Sequence, residues 1–402
     1  MIYKSTARFA LAWAVAIQAL RAKKNLLFLI PLLMGTFLLF GCKGKPAPDD
    51  AAAPVPAWEA WADAASLPKD WVDTKYRFIN VDPSYNAGDG PNVCIDEAHF
   101  NYHTAGGIYK PFAELLRGDG YRVRPFRSRF TADALANCQI LLIANAQAKA
   151  NTIGFGSPET NRAYPHASAV TREEINEVIT WVRGGGALFL IADHEPWPAA
   201  VSDLALLLGV HMFDGYARAN AGEISGEIVF GKIREEVWRE AMRLLSELVD
   251  LDFNAQYAPV LDNPGDLAPH PVIDGRNPGE QIEWVVTFMG HAFIASDDWK
   301  SIMVFGPNAV SIAPLAFNFE DTEKGDDTLF SAAGWLQGAT RILDQGRVAI
   351  LGEAAMCTAQ FDDMDGEIDA PLIPEGINAH RAPQNAQFCL NVMHWLSGLL
   401  DE

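Results

Sequence analysis

Several catalytic signatures are missing from these 402 residues. Neither Gly-x-Ser-x-Gly nor Gly-x-Cys-x-Gly occurs, so the chain shows no nucleophile elbow and covalent acyl transfer loses its usual support. No Gly-x-Gly-x-x-Gly follows an apolar run, which argues against a dinucleotide. No Cys-x-x-Cys or Cys/His spacing suggests a zinc cage, and no internal repeat is evident. Basic residues are few, 31 against 51 acidic ones, for a net charge of −20. Such a field repels nucleic acid and anionic lipid, so polyanions are not expected partners. Cysteine is scarce, at five residues. Cys94 and Cys357 lie in or beside apolar strands and Cys389 in an apolar helix. Buried free thiols are therefore expected, with pairing permitted only in an oxidising compartment.

Apolar residues are plentiful, at 49% of the chain. That is enough for a sizeable core and excludes wholesale disorder. Residues 1–42 read as a separate material: Lys4, Arg8, Arg21, Lys23 and Lys24 precede an apolar run that ends at Gly41-Cys42. A basic start followed by an apolar segment is an export signal. Leu39-Phe40-Gly41-Cys42 is similar to the bacterial lipobox, which makes Cys42 the expected lipidation site; an uncleaved anchor is the alternative. Without this segment the chain carries 26 basic and 51 acidic residues, a net charge of −25. Residues 43–75 read as a Pro/Ala-rich tether and lead-in, and residues 76–402 as one domain. The expected location is the bacterial cell envelope, periplasm-facing and held to a membrane.

Within that domain short apolar runs alternate with helical patterns. Strands are expected at 93–95, 121–126, 140–144, 187–192, 285–288, 301–305 and 348–351. Helices are expected at 107–117, 131–136, 173–182, 199–208, 234–249, 328–343 and 385–400. Thr171-Arg172-Glu173-Glu174 carries a capping-box start, and residues 147–169 read as a loop. The β-α-β-α-β-α-β series implies a doubly wound, mostly parallel α/β sheet of flavodoxin-like type with irregular insertions.

Three strands break directly into ionisable residues: Asp96 to His99, Asp193-His194 and Glu353. In open α/β sheets ligands sit at the carboxyl ends of the strands, so these groups are candidates for one crevice. Asp96, His99 and His103 offer a base with its orienter, or metal ligands; the plainer reading is a hydrogen-bonded loop. His194 is the expected crevice residue, with Asp193 behind it or capping a helix. Glu353 needs a partner or a metal if buried, unless it caps a helix. His291 is a weaker candidate, and His380, Asn385, Asn391 and His394 read as packing residues. Asp96-Glu97-Ala98-His99 also mimics a helicase signature, and Gly226 to Lys232 a phosphate loop. Yet Ile233 stands where Ser or Thr would hold magnesium, and the two pieces run in the wrong order.

Ile95-Asp96-Glu97-Ala98-His99-Phe100-Asn101, the run from Trp181 to His194, His270 to Gly275, Gly352 to Met356 and Asn391 to Leu396 together resemble the class I glutamine amidotransferase-like superfamily. The closer similarity is to its non-amidotransferase branch, which includes trehalose-utilisation-type proteins and exported bacterial proteins. The resemblance covers about residues 90–400. The family's elbow cysteine follows the strand that here ends in Asp193-His194. No cysteine stands there, so glutaminase activity is not carried over. The branch implies a carbohydrate-related role.

These readings combine into an envelope-tethered domain that binds a small polar ligand and, as an enzyme, hydrolyses it with or without a divalent metal. In that version His99 or His194 is the base on water, with Asp96 and Glu353 orienting it. His99, His103, Asp193 and His194 are the candidate metal ligands. The competing reading is a non-enzymatic module recognising a sugar, peptide or partner protein, with Trp197 as a stacking face.

Overall fold

In the computed structural model the described residues are 72–149, 166–221, 227–232, 240, 243, 265–313, 328–362 and 373–401, all within one unit spanning Pro54–Glu402. The leader, Cys42, the tether and all but two residues of the expected helix at 234–249 lie outside them. No helix among the described residues is long and apolar enough to cross a membrane.

The apolar runs form strands as expected: β1 (Asn92–Asp96), β2 (Arg122–Phe126), β3 (Ile140–Ala144) and β4 (Ala187–Ile191). The remaining strands are β5 (Val210–Met212), β6 (Tyr216–Arg218), β7 (Glu227–Gly231), β8 (Asp266–Leu267), β9 (Trp284–Phe288), β10 (Phe293–Ala295), β11 (Lys300–Val304), β12 (Val310–Ala313), β13 (Thr328–Ser331), β14 (Leu336–Leu343), β15 (Gly346–Leu351), β16 (Ala359–Asp362) and β17 (Ile373–Gly376). The helices are α1 (Lys110–Gly118), α2 (Ala132–Leu135), α3 (Arg172–Arg183), α4 (Trp197–Leu207), α5 (Pro271–Asp274) and α6 (Asn385–Leu396). The supposed phosphate loop is simply β7, paired antiparallel with β9.

The main sheet has ten strands in the path β2-β1-β3-β4-β15-β14-β10-β5, with β11 and β8 branching from β14. The pairs along β2-β1-β3-β4-β15 are parallel. Its order, 2-1-3-4 and then the late strand, is that of flavodoxin-like sheets. The other five strands run antiparallel to their neighbours. The expectation of a mostly parallel sheet is therefore corrected to a mixed one, half parallel. The expected helix at 328–343 is the reason: it is β13, a turn and β14. Leu343 pairs with Gly346 across a tight turn that holds Asp344 at φ 53, which the apolar spacing of 328–343 did not reveal.

Strand alternation divides the core between two faces. Val93, Ile95, Leu142, Phe189 and Leu351 pack with α1 and α6 through Phe112, Leu116, Phe388 and Trp395. Cys94, Leu141, Ile143, Leu190 and Ile350 pack with α3 and α4 through Val178, Val182, Val201 and Leu204. Helices on both faces are what bury these two-sided apolar strands.

The expectation of free thiols is overturned. Cys94 is bonded to Cys138, and Cys357 to Cys389, each pair with Cα atoms 5.8 Å apart. Both pairings keep the cysteines buried. Burial and pairing are compatible, and connectivity is set by a spatial approach that spacing along the chain does not encode.

Candidate functional site

The carboxyl ends of the parallel strands carry two polar clusters. The first lies beside β1. His99 puts Nδ1 2.9 Å from Asp96 Oδ2, and its Nε2 3.3 Å from Glu174 Oε1. Asn101 donates to Asp96 at 3.0 Å and to the Ala144 carbonyl at 3.2 Å. The imidazole lies against Phe130, with ring centroids 4.4 Å apart. Burial alone would lower the His99 pKa. The Asp96 and Glu174 carboxylates outweigh it and lift it to about 10. His99 is thus an imidazolium clamped between two anions, with no lone pair for a base to use. Glu174 is the capping-box residue expected at the start of α3: Thr171 Oγ1 and N both donate to its Oε2, at 2.7 and 3.1 Å. Of the expected base and orienter, the structure brings His99 and Asp96 into direct hydrogen bonding, with both imidazole nitrogens engaged by carboxylates.

The second cluster lines a cavity of about 170 Å³ whose walls include Tyr102, His103, Asn145, Asp193, His194 and Trp197. The ends of β9 and β15 and the β16–β17 hairpin add Met289, Ala355, Gln360 and Glu375. His194 ring atom Nδ1 lies 2.7 Å from the Glu195 carbonyl, so it must carry the proton. The Nε2 lone pair is then free, and among the described residues it has no hydrogen-bond partner. The ring is stacked on Tyr216 at 4.6 Å and edge-on to Trp197 at 4.7 Å.

Asp193 stands behind His194. Its carboxylate accepts from the His194 N–H at 2.8 Å and the Ala354 N–H at 3.2 Å, while its own N–H donates to Asn145 Oδ1 at 2.8 Å. It therefore ties the ends of β3, β4 and β15 together. Burial raises its pKa. Glu353 does not line the cavity. It is fully buried and accepts from the N–H groups of Ala355 and Met356 at 2.5 and 2.8 Å. Burial first, then the Asp193 charge, push its pKa well above the carboxylate range. Two buried carboxyls side by side do not both ionise readily. The helix-cap reading of Glu353 is the one its hydrogen bonds fit.

His103 reaches the cavity wall, with Nδ1 buried and unpartnered, and burial depresses its pKa to about 3. His291 sits underneath, its Nδ1 directed at the carbonyls of Ala192 and Asp193 at 3.0 and 3.1 Å. Asn385, Asn391 and His394 are packing residues as expected. Asn385 bonds both main-chain groups of Val286, Asn391 the carbonyls of Val272 and Glu280, and His394 Nε2 lies 2.8 Å from Asp119. His380 is exposed.

The cavity floor is strained at one point. Met289 takes φ 93, a region bulky residues avoid. Gly290 follows at φ 101, where a Cβ would lie 2.3 Å from the Gly352 carbonyl. Only glycine allows that approach between the ends of β9 and β15.

Of the four expected metal ligands, His103, Asp193 and His194 line the same cavity, and His99 stands apart. His99 is held by Asp96 and Glu174, and His103 reaches the cavity separately from it. Among the described residues, the group whose ligand atoms all lie within 4.8 Å of one another is His166, Glu195 and Asp214. Sequence reasoning missed it because His166 falls in the stretch read as a loop. Glu195 directly follows the Asp193-His194 pair, but no motif marks it. Tyr102, Asn145, Gln360 and Glu375 carried no motif and were also missed.

No protein-family model and no curated protein sequence matches the chain. Solved structures do match in shape. The mmIFT52 N-terminal domain is 12% identical, over 76% of this chain and 97% of its own, at a TM-score of 0.43. A putative ThuA-like protein from Bacteroides uniformis is 12% identical, over 78% and 94%, at 0.38. One from Parabacteroides merdae is 9% identical, over 78% and 92%, at 0.37.

Proposed function

We propose that this domain binds a small, hydroxyl-rich polar ligand, carbohydrate-like in its chemistry, in the cavity at the carboxyl ends of the parallel strands. One observation carries the reading. His103 Nδ1, Asn145 Nδ2, Trp197 Nε1 and Gln360 Oε1 are all buried, all lack a hydrogen-bond partner among the described residues, and all belong to residues lining the same cavity. Each such group costs roughly 1–3 kcal/mol when left unsatisfied, so folding alone gives no reason to gather four of them. The set mixes donors with an acceptor, His194 Nε2 adds a second acceptor, and Tyr102 and Trp197 supply aromatic walls. A sugar-like molecule offers both hydroxyl roles and an apolar face. At about 170 Å³ the space is below the ~300 Å³ of drug-sized pockets, which fits a ligand of one ring.

We place the domain in the cell envelope, outside the cytoplasm, as a membrane-tethered member of an amidotransferase-like branch. The basic-then-apolar leader, the Gly41-Cys42 junction and two disulfides of a kind that persist in oxidising compartments support this. The 2-1-3-4 strand order supports the flavodoxin-like architecture such a domain would have.

Catalysis is the second reading, favoured by His194. With Nδ1 fixed on the Glu195 carbonyl, Nε2 is oriented as a base on ligand or water. Without an elbow nucleophile the reaction would be direct attack by water.

Calorimetric titration with mono- and disaccharides, amino acids and short peptides tests both. Saturable sugar binding that is lost in His194→Ala and Trp197→Ala supports the site. Binding that survives both substitutions, or no binding across the panel, overturns it. Product release on long incubation separates hydrolysis from binding alone.

A further inference from the structure

Three ionisable side chains unused by the cavity meet from three parts of the chain. His166 precedes α3, Glu195 follows His194 in the turn after β4, and Asp214 lies between β5 and β6. His166 Nε2 is 2.9 Å from Glu195 Oε1 and 3.7 Å from Asp214 Oδ2. The His166 and Glu195 side chains are 1% and 0% exposed, and that of Asp214 20%. Glu195 Oε2 and Asp214 Oδ1 are buried without a hydrogen-bond partner among the described residues. Among the described residues no lysine or arginine pairs with either carboxylate. Even with His166 protonated, one fully buried and one partly buried carboxylate face a single positive charge.

We propose that His166, Glu195 and Asp214 form a binding site for one divalent transition-metal ion of the zinc or manganese class, each residue giving one ligand. Two atoms bound to one ion at 2.0–2.4 Å are at most about 4.8 Å apart, the bound within which these three ligand atoms lie. One imidazole nitrogen with two carboxylate oxygens suits zinc or manganese better than thiophilic copper(I) or the all-oxygen preference of calcium. A divalent ion supplies the missing charge and occupies carboxylate oxygens that no other described residue satisfies. It also bears on the cavity. The Glu195 carbonyl holds His194 Nδ1 at 2.7 Å, and the Glu195 N–H donates to the Gly215 carbonyl at 3.2 Å. The ion would thus brace the turn that sets the His194 tautomer to the turn carrying Asp214. Metal ligation does not depend on what the cavity binds, so the two proposals fail separately.

The test is metal retention by the full chain purified in detergent. After stripping with chelator it is loaded with Zn²⁺ or Mn²⁺ and desalted. One equivalent retained, a raised Tm and, with Mn²⁺, echo modulation from a single imidazole nitrogen are expected. Glu195→Gln and Asp214→Asn should each lose retention at least tenfold, and His166→Gln the nitrogen modulation. His211→Ala, at an exposed position on β5, should change nothing. Asp214→Asn, on the partly exposed arm, keeps the test decisive where Glu195→Gln fails to fold. No retention by the wild type, undiminished retention by the folded variants, or absence of the nitrogen modulation overturns the proposal.

Discussion

His99 and His194 make an instructive pair. Each follows a parallel strand, each has an aspartate close before it in the chain, and each stands against aromatic rings. The first has both nitrogens engaged by carboxylates and lies at 6% exposure. The second has one nitrogen on a carbonyl and the other open toward a cavity whose wall holds further unpartnered polar atoms. Residue type and strand position are the same; hydrogen-bond valency differs. A polar group whose valency is filled inside the protein stabilises the fold, whereas an open one is available to a ligand.

Removing His99 should do the most damage. His99→Ala leaves Asp96 and Glu174 buried without their cation, a loss of about 3–5 kcal/mol in urea unfolding, with ligand affinity intact where the variant remains folded. A loss under about 1 kcal/mol would erase the contrast between the clusters.

The same pair has a pH signature. His99 titrates near its ordinary 6.5 when unfolded and at about 10 when folded. Its contribution is full below pH 6.5, declines above it, and is lost as pH rises through 10. The stability gap between wild type and His99→Gln should shrink along that course. A gap that widened toward pH 10 would show that the imidazolium is not what holds the pair.

His194→Ala should show the reverse profile. Its stability should change by no more than about 1 kcal/mol, while ligand affinity falls roughly tenfold or more, about 1.4 kcal/mol of binding energy. Calorimetry and thermal melts on one preparation report both. Trp197→Phe is the mildest of the four. It deletes an unpartnered indole N–H and keeps an aromatic wall, so stability should stay within about 1 kcal/mol. Affinity should drop a few-fold, and a Tm several degrees lower would mean that Nε1 contributes to the fold.

Much of the fold was legible where the signal is local. The apolar runs at 140–144 and 187–191 are buried strands because a parallel sheet is covered on both faces. Thr171 and Glu174 start α3 because the two capping hydrogen bonds close within four residues. The strand at 348–351 was also read correctly, as was β4 on one side of it, but not β14 on the other. β14 was taken for a helix, and its pairing with β15 is what turns half the sheet antiparallel. The candidate site was legible in part: His103, Asp193 and His194 line the cavity, whereas Asp96, His99 and Glu353 are not among its lining residues. Its chemistry was not, because Asn145, Gln360 and Glu375 come from separate strand ends with no motif to mark them.

By itself, then, the sequence determined where apolar segments begin and end, which residues cap α3, and which ionisable groups stand at strand ends. Each of these follows from interactions a few residues long. Tertiary structure alone decided that Glu174 would face His99 across 75 positions, that Cys94 would find Cys138, and that the Nε2 of His194 would stay open. Whether a nitrogen or a sulfur is engaged depends on distant atoms brought within about 3 Å of it, and close packing of the whole chain fixes which atoms those are.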